Sequence, residues 1–257
     1  MLVMSETALP ETCCPGAVLW TGLGRAAYLG PSLRLRAHSG SVHCFALGVD
    51  EPFTVRVDGV ERRVRSALIP ARTRSQIVAG DGRMLFLYRD PSAAWLTELR
   101  AKMTALPPID IDHEDESALV REVLDGRLPI SLLGSASAPS DTRIRAALET
   151  MRTDPGGRLT AAEVAASVHL SASRFQHLFS ADTGTSFRRY RLWSRMHHVA
   201  AAISRGASLT QAATDAGFAS SAHFSDSFRD MFGLSASRLL TPATRLTVET
   251  PAEVEPN

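Results

Sequence analysis

The sequence predicts an α+β multidomain chain: a small all-β domain, a helical linker, and an all-α domain holding two helix-turn-helix units. Three observations predict it. Short runs alternating with period two fill residues 17–91, helical spacing takes over after Pro91, and one helical pattern occurs twice in the C-terminal third. A chain of 257 residues has room for two modest domains, and 44% hydrophobic content is that of an ordinary globule. No apolar run nears the ~18 residues that suggest a membrane span. The N-terminus lacks the basic region and apolar core of a secretory signal, so a cytoplasmic location without membrane partners is expected.

Residues 1–16 read as a disordered N-terminus. They hold Cys13 and Cys14, whose adjacency would close a strained ring; with three Cys in all, neither a disulfide framework nor a spaced metal site is suggested. Residues 17–91 form the β domain. Leu33 to His38 and Phe53 to Val57 alternate, the latter closed by Asp58-Gly59, and further runs are Val64 to Ile69, Ser75 to Val78 and Met84 to Tyr88. Many short strands at regular spacing imply a sandwich or small barrel. Residues 92–140 read as a helical linker. Trp95, Leu96, Leu99 and Met103 share a stripe, Glu114 to Leu124 makes a second helix, and a small-residue segment from Gly134 leads to Ser140 as a cap.

Residues 141–241 carry the repeat. Ser171-Ala-Ser-Arg-Phe-Gln-His-Leu-Phe179 is echoed by Ser220-Ser-Ala-His-Phe-Ser-Asp-Ser-Phe228, with Gly184 matching Gly233 at the same offset. Each copy opens on a Ser suited to the N-cap and sets two Phe four residues apart. Each ends on a Gly suited to the left-handed C′ position. An Ala-rich helix precedes each copy across a short turn, and Thr160-Ala-Ala-Glu163 reads as a capping box. Two short helices joined by a tight turn make a helix-turn-helix, here present twice. Residues 242–257, rich in Pro, Glu and Thr, read as a disordered tail.

This double motif resembles the DNA-binding domain of the AraC/XylS regulators. The residues that carry the resemblance are Leu159, Ala165, Ser171, Phe175, Phe179 and Thr183-Gly184, then Phe187, Tyr190 and Arg195. Ala213, Gly217-Phe218, Phe224, Phe228 and Phe232-Gly233 complete it. Departures are Ala236, where the family usually has Pro, and Asp226, where it often has a basic or polar residue. The N-terminal layout resembles the cupin-like sensor barrel of the same regulators, with Leu68-Ile69-Pro70 and Leu87-Tyr88-Arg89-Asp90-Pro91 at familiar places. The resemblance implies a sequence-specific transcription regulator rather than an enzyme. Its implied partners are double-stranded DNA, a small-molecule effector and RNA polymerase, and the linker is a candidate for homodimerisation. Rival readings are a constitutive regulator whose degenerate barrel serves only protein contact, and a cupin metalloenzyme with an accessory DNA-binding module.

For the DNA face, the resemblance directs Ser173, Gln176 and His177 toward base edges, with Arg174 flanking. Gln can bond adenine bidentately, and His can donate to guanine. On the second unit Ser221, Ala222, His223 and Ser225 hold the corresponding face, and Asp226 is expected to pair with Arg229. Arg188, Arg189 and Arg191 open the connecting helix as candidate phosphate contacts, while Arg195 reads as structural. Between Arg158 and Leu240 nine Arg face five acidic residues, a modest excess.

Cupin metal sites need three or four ligands. His38 and His43 supply two, no Glu follows at the expected distance, and Arg72 and Arg74 stand after Pro70 where relatives carry a later His. No metal and no cofactor are therefore expected. An anionic or polar effector would meet Arg34, Arg36, His38, His43 and Arg72 if those side chains turned inward. The alternative is that Leu33, Leu35 and Ala37 face the core and the Arg face is solvated.

Overall fold

The computed structural model describes residues 16–22, 24–90, 93–129, 132, 141–154, 156, 158–241 and 243–249. The expectations for residues 1–15, the side chain of Trp95, the segment from Gly134 to Ser140, and residues 250–257 lie outside the described residues. The N-terminal domain is two packed sheets. The larger combines β1 (Val18–Gly22), β2 (Arg25–Pro31), β4 (His43–Gly48), β7 (Ser66–Ile69) and β9 (Arg83–Arg89) with β10 (Thr104–Leu106), β11 (Ile109–Ile111) and β12 (Arg245–Val248). It runs in the order β10-β11-β7-β4-β9-β2-β1-β12. The smaller sheet is β3 (His38–Ser39), β8 (Arg74–Val78), β5 (Phe53–Val57) and β6 (Val60–Val64), in that order.

Burial on both faces explains why β9 reads as a continuous apolar run. Met84 and Phe86 pack with Phe53, Val55 and Ile77 between the sheets. Leu85 and Leu87 join Phe45, Leu47 and Leu68 on the opposite face, closed by Leu99 of α1 (Ala93–Arg100) and by Leu119 and Val123 of α2 (Glu116–Leu124). The hairpin β5–β6 turns at Asp58 and Gly59, both at positive φ (48° and 77°), the backbone that suits the strands' right-handed twist. Glu61, Arg62 and Arg63 are exposed on β6, and charge on an edge strand discourages pairing with another chain.

Four expectations need correction. Leu33 to His38 is not a strand over its length: Arg34 takes a φ of 48° and the Arg36 N–H donates to Gly233 O at 2.9 Å instead of to a neighbouring strand. Only Leu35 of the alternating set is buried, and Leu33 is partly so. The linker is not purely helical, because β10 and β11 form a hairpin around Pro107-Pro108 that extends the sheet beside β7. The tail is ordered over β12, where Leu246, Thr247 and Val248 pair in parallel with the otherwise open edge of β1. Finally, α3 (Thr142–Thr153) is capped by Asp141, whose carboxylate accepts from the Arg143 N–H at 2.9 Å.

The C-terminal domain follows as α4 (Ala161–Ser167), α5 (Ala172–Thr183), α6 (Phe187–Ser204), α7 (Leu209–Asp215), α8 (Ser221–Phe232) and α9 (Ala236–Leu239). Ile144, Ala147, Leu148 and Met151 of α3 are buried in the same core as Phe175 and Tyr190. That core is continuous with the space between the two sheets.

Candidate nucleic-acid interface

The two helix-turn-helix units are built from the same local devices. Thr160 and Glu163 form the capping box of α4, and the Ser171 and Ser220 hydroxyls accept from the N–H of Arg174 (3.3 Å) and His223 (3.1 Å). Both turns use one backbone solution. The His169 N–H reaches Ala166 O and the Leu170 N–H reaches Ala165 O, as Gly217 reaches Thr214 O and Phe218 reaches Ala213 O. His169 (φ 57°) and Gly217 (φ 79°) both occupy the left-handed region. Gly184 and Gly233 end the second helices at φ 68° and 73°.

Inside, the phenylalanines meet edge-on or tilted, as ring quadrupoles favour. Phe175 lies 5.5 Å from Phe179 and 5.7 Å from Phe187, while Phe224 lies 5.3 Å from Phe218 and 5.6 Å from Phe228. This stripe turns the opposite face of each second helix outward. On α5, Ser173, Arg174, Gln176 and His177 are all exposed. On α8, Ser221, Ala222 and His223 are exposed and Ser225 is half-buried. Several polar side chains of α8 are engaged locally. Ser225 Oγ donates to Ser221 O at 2.8 Å, His223 Nδ1 accepts from the Ala219 N–H at 3.3 Å, and Arg229 pairs with Asp226 at 2.9 Å. The two outward faces therefore differ in what they can offer a base edge.

The three arginines opening α6 divide. Arg188 is exposed. Arg191 lies over the Phe187 ring at 5.8 Å and donates to Leu159 O at 3.3 Å. Arg189 points the other way, into the β domain, donating to Ser39 O and, at 3.1 and 3.2 Å, to Ser39 Oγ and Gly40 O. In this arrangement Arg189, expected as a phosphate contact, is instead engaged between the domains. Arg195 is buried with its guanidinium 5.7 Å from the Phe218 ring centre, consistent with a structural role.

The five effector candidates do not converge. Arg34, Arg36 and Arg72 are exposed, Arg34 lying 3.8 Å from exposed Asp81. His38 Nδ1 sits 2.9 Å from Arg36 O and stands against Gly233, where a Cβ would come within 2.6 Å of the imidazole. His43 is buried, and its Nδ1 accepts from the Ala71 N–H at 3.1 Å. Burial, reinforced by the Arg100 charge, lowers the His43 pKa to about 4. Among the described residues no group of His, Cys, Asp and Glu could hold a metal ion, and no helix is long and apolar enough to cross a membrane.

Two features between the domains escaped sequence reasoning. Buried Asp90, at the end of β9, accepts from Tyr190 Oη, from Trp193 Nε1 at 2.6 Å, and from Arg152 Nε and Nη2 at 2.9 and 2.8 Å. The second is a cavity of about 70 Å³ that opens to solvent, between β1, β2 and β9 on one side and α6, α8 and α9 on the other. Trp193, Met196, His197 and Ala200 form its α6 wall, and Phe224, Phe228 and Phe232 its α8 wall. The signal is present in part: Trp193, Met196, His197 and Ala200 share one face of α6, a pattern that an ordinary core face also gives.

A family model described as a helix-turn-helix domain matches residues 164–241. No curated protein matches the chain. Among solved structures, ToxT from Vibrio cholerae aligns over 86% of this chain and 94% of its own at 12% identity, with a TM-score of 0.52. ToxT bound to (E)-4-(8-methylnaphthalen-1-yl)but-3-enoic acid aligns over 83% and 97%, also at 12% identity, with a TM-score of 0.51. Unsaturated fatty acid-bound ToxT aligns over 86% and 91% at 9% identity, with a TM-score of 0.50. At these identities the likeness is one of fold: a β domain followed by a helical domain, in the same order and over nearly the whole length.

Proposed function

We propose, from the premise that residues 164–241 are an AraC-type helix-turn-helix domain, that this DNA-binding transcription regulator reads sequence mainly through α5 and takes a small-molecule effector between its domains. The observation that carries the first part is the contrast between the outward faces. α5 presents exposed Gln176 and His177, whose side chains reach and hydrogen-bond, whereas His223, Ser225 and Asp226 of α8 are bonded within their own helix or turn. Ser173 and Arg174 would flank the reading face, and exposed Arg188, with Arg191 beside it on α6, would meet phosphate. RNA polymerase is the partner that the resemblance implies for the DNA-bound state, and self-association would use the linker.

Support for an effector comes from the cavity walled by α6 and α8, since anything bound there touches the inner face of the second recognition helix. ToxT has been solved bound to an unsaturated fatty acid and to a naphthalenyl butenoic acid, so a protein of this fold takes amphipathic small molecules. A ligand shifts DNA binding only as far as it binds one domain arrangement better than another. The test is selection of bound genomic fragments by the full chain, followed by affinity measurement on the recovered site across a salt series. A specific site with affinity falling steeply as salt rises is expected. Equal affinity for all sequences would refute the assignment.

A further inference from the structure

We infer that the cavity between the β domain and α6 is a binding site for an uncharged, largely hydrophobic molecule carrying one hydroxyl or carbonyl group, and not for a carboxylate. This deepens the effector reading by naming the ligand class, and it rests on that reading for its regulatory consequence only.

The walls decide the class. Leu19, Tyr28, Trp193, Met196, Phe228 and Phe232 supply apolar surface, and among the described residues that line the cavity there is no Lys or Arg. A carboxylate carried into such a space would lose its water without gaining a counter-charge, a cost that a hydroxyl or carbonyl bonded to the wall does not bear. The polar exception is a pair. Thr21 Oγ1 lies 3.0 Å from His197 Nδ1, joining β1 to α6 at the cavity wall. A Thr hydroxyl has one donor and two acceptor lone pairs, so it can hold this contact and still engage one ligand oxygen. His197 does not replace the missing cation. Burial and the neighbouring His198 lower its pKa to about 4, leaving the imidazole neutral near pH 7. The Tyr28 hydroxyl donates to Pro31 O at 2.8 Å.

The experiment uses the full chain without DNA and the neutral fluorophore N-phenyl-1-naphthylamine. The probe should bind, and 1-decanol should displace it at a concentration at least tenfold lower than decanoate at pH 8. Simple partitioning also favours an alcohol over its acid, so two variants localise the effect. Ala200→Trp fills the α6 wall and should weaken probe binding at least tenfold while circular dichroism and melting stay native. Leu240→Lys puts a cation on the wall and should bring decanoate to within about threefold of decanol. Absence of probe binding, decanoate matching decanol in the native chain, or an Ala200→Trp protein that folds and binds the probe unchanged would each overturn the site. If Ala200→Trp does not fold, the Leu240→Lys reversal decides: an unaltered alcohol preference overturns the site. Operator affinity with and without 1-decanol is then read separately. A ligand that binds as described but leaves operator affinity unchanged keeps the ligand class and removes its regulatory consequence.

Discussion

At the scale of single residues, what a side chain already touches governs what it can still do. Gln176 is exposed on α5, whereas Ser225 Oγ is committed to the Ser221 carbonyl. Gln176→Ala should therefore weaken operator binding by about 1–3 kcal/mol and relax preference at one base pair, while Ser225→Ala should do much less. Titration against single-base operator variants checks both. His43 makes a different point, because its role lies in the β domain and in acid stability. Its folded pKa of about 4 lies below the ordinary value of 6.5, so between those values the unfolded chain binds the extra proton. Stability contributed by the neutral imidazole is present above pH 6.5 and is lost as pH falls toward 4, by on the order of 3 kcal/mol. Urea midpoints taken from pH 7 to 4 should fall more steeply for the native chain than for His43→Gln, which keeps an acceptor for the Ala71 N–H.

At the scale of elements, the C-terminal half was legible because its information is local. A Ser cap, two Phe four apart and a terminal Gly each act within a dozen residues, and their recurrence fixed two helix-turn-helix units before any packing was known. Phe175 and Phe224 have almost no exposure, and their rings meet within their own units. Either Phe→Ala change should cost about 3–5 kcal/mol of stability. Loss of DNA affinity should track loss of melting temperature; a variant with native melting but no DNA binding would make the ring a contact instead of a core residue. The failures have the opposite origin. Leu33 to His38 alternates like a strand, yet the Arg36 N–H bonds a glycine almost two hundred positions away. β12 lies in a segment whose composition reads as disordered, and its pairing depends on an open β1 edge that no local window reveals. Arg189 reads as a phosphate contact by position on α6, and only the assembled molecule sets Ser39 and Gly40 against it.

At the scale of the whole molecule, the question is what holds the β domain to the DNA-binding domain. Parallel pairing of β12 with β1, the Arg25–Glu249 ion pair at 2.7 Å and the Tyr88–Phe232 ring contact at 5.5 Å all cross from N-terminal to C-terminal residues. Arg25 and Glu249 are both partly solvated, so that pair contributes little by itself. Asp90 is different. Its carboxylate is almost fully buried and gathers donors from α3 and α6 at once, with Arg152 as its ionic partner at 2.8 Å. Breaking such a pair from one side leaves a largely desolvated guanidinium, a loss of about 3–5 kcal/mol. Burial is the largest single influence on Arg152 and opposes its charge, but the interactions with Asp90 and Tyr190 together outweigh it and raise the pKa. Asp90→Asn retains shape and one acceptor but cannot serve Tyr190, Trp193 and Arg152 together without turning an amide N–H toward a donor. It should lower the unfolding free energy obtained from urea titration by that margin, with a lower midpoint, and shift Trp193 emission to the red as the indole gains water. If the α6 and α8 walls of the cavity are held by this contact, the variant should also bind N-phenyl-1-naphthylamine more weakly than the native chain under conditions where both are folded. An unchanged urea midpoint would show that the β12 strand and the aromatic contacts join the domains without Asp90.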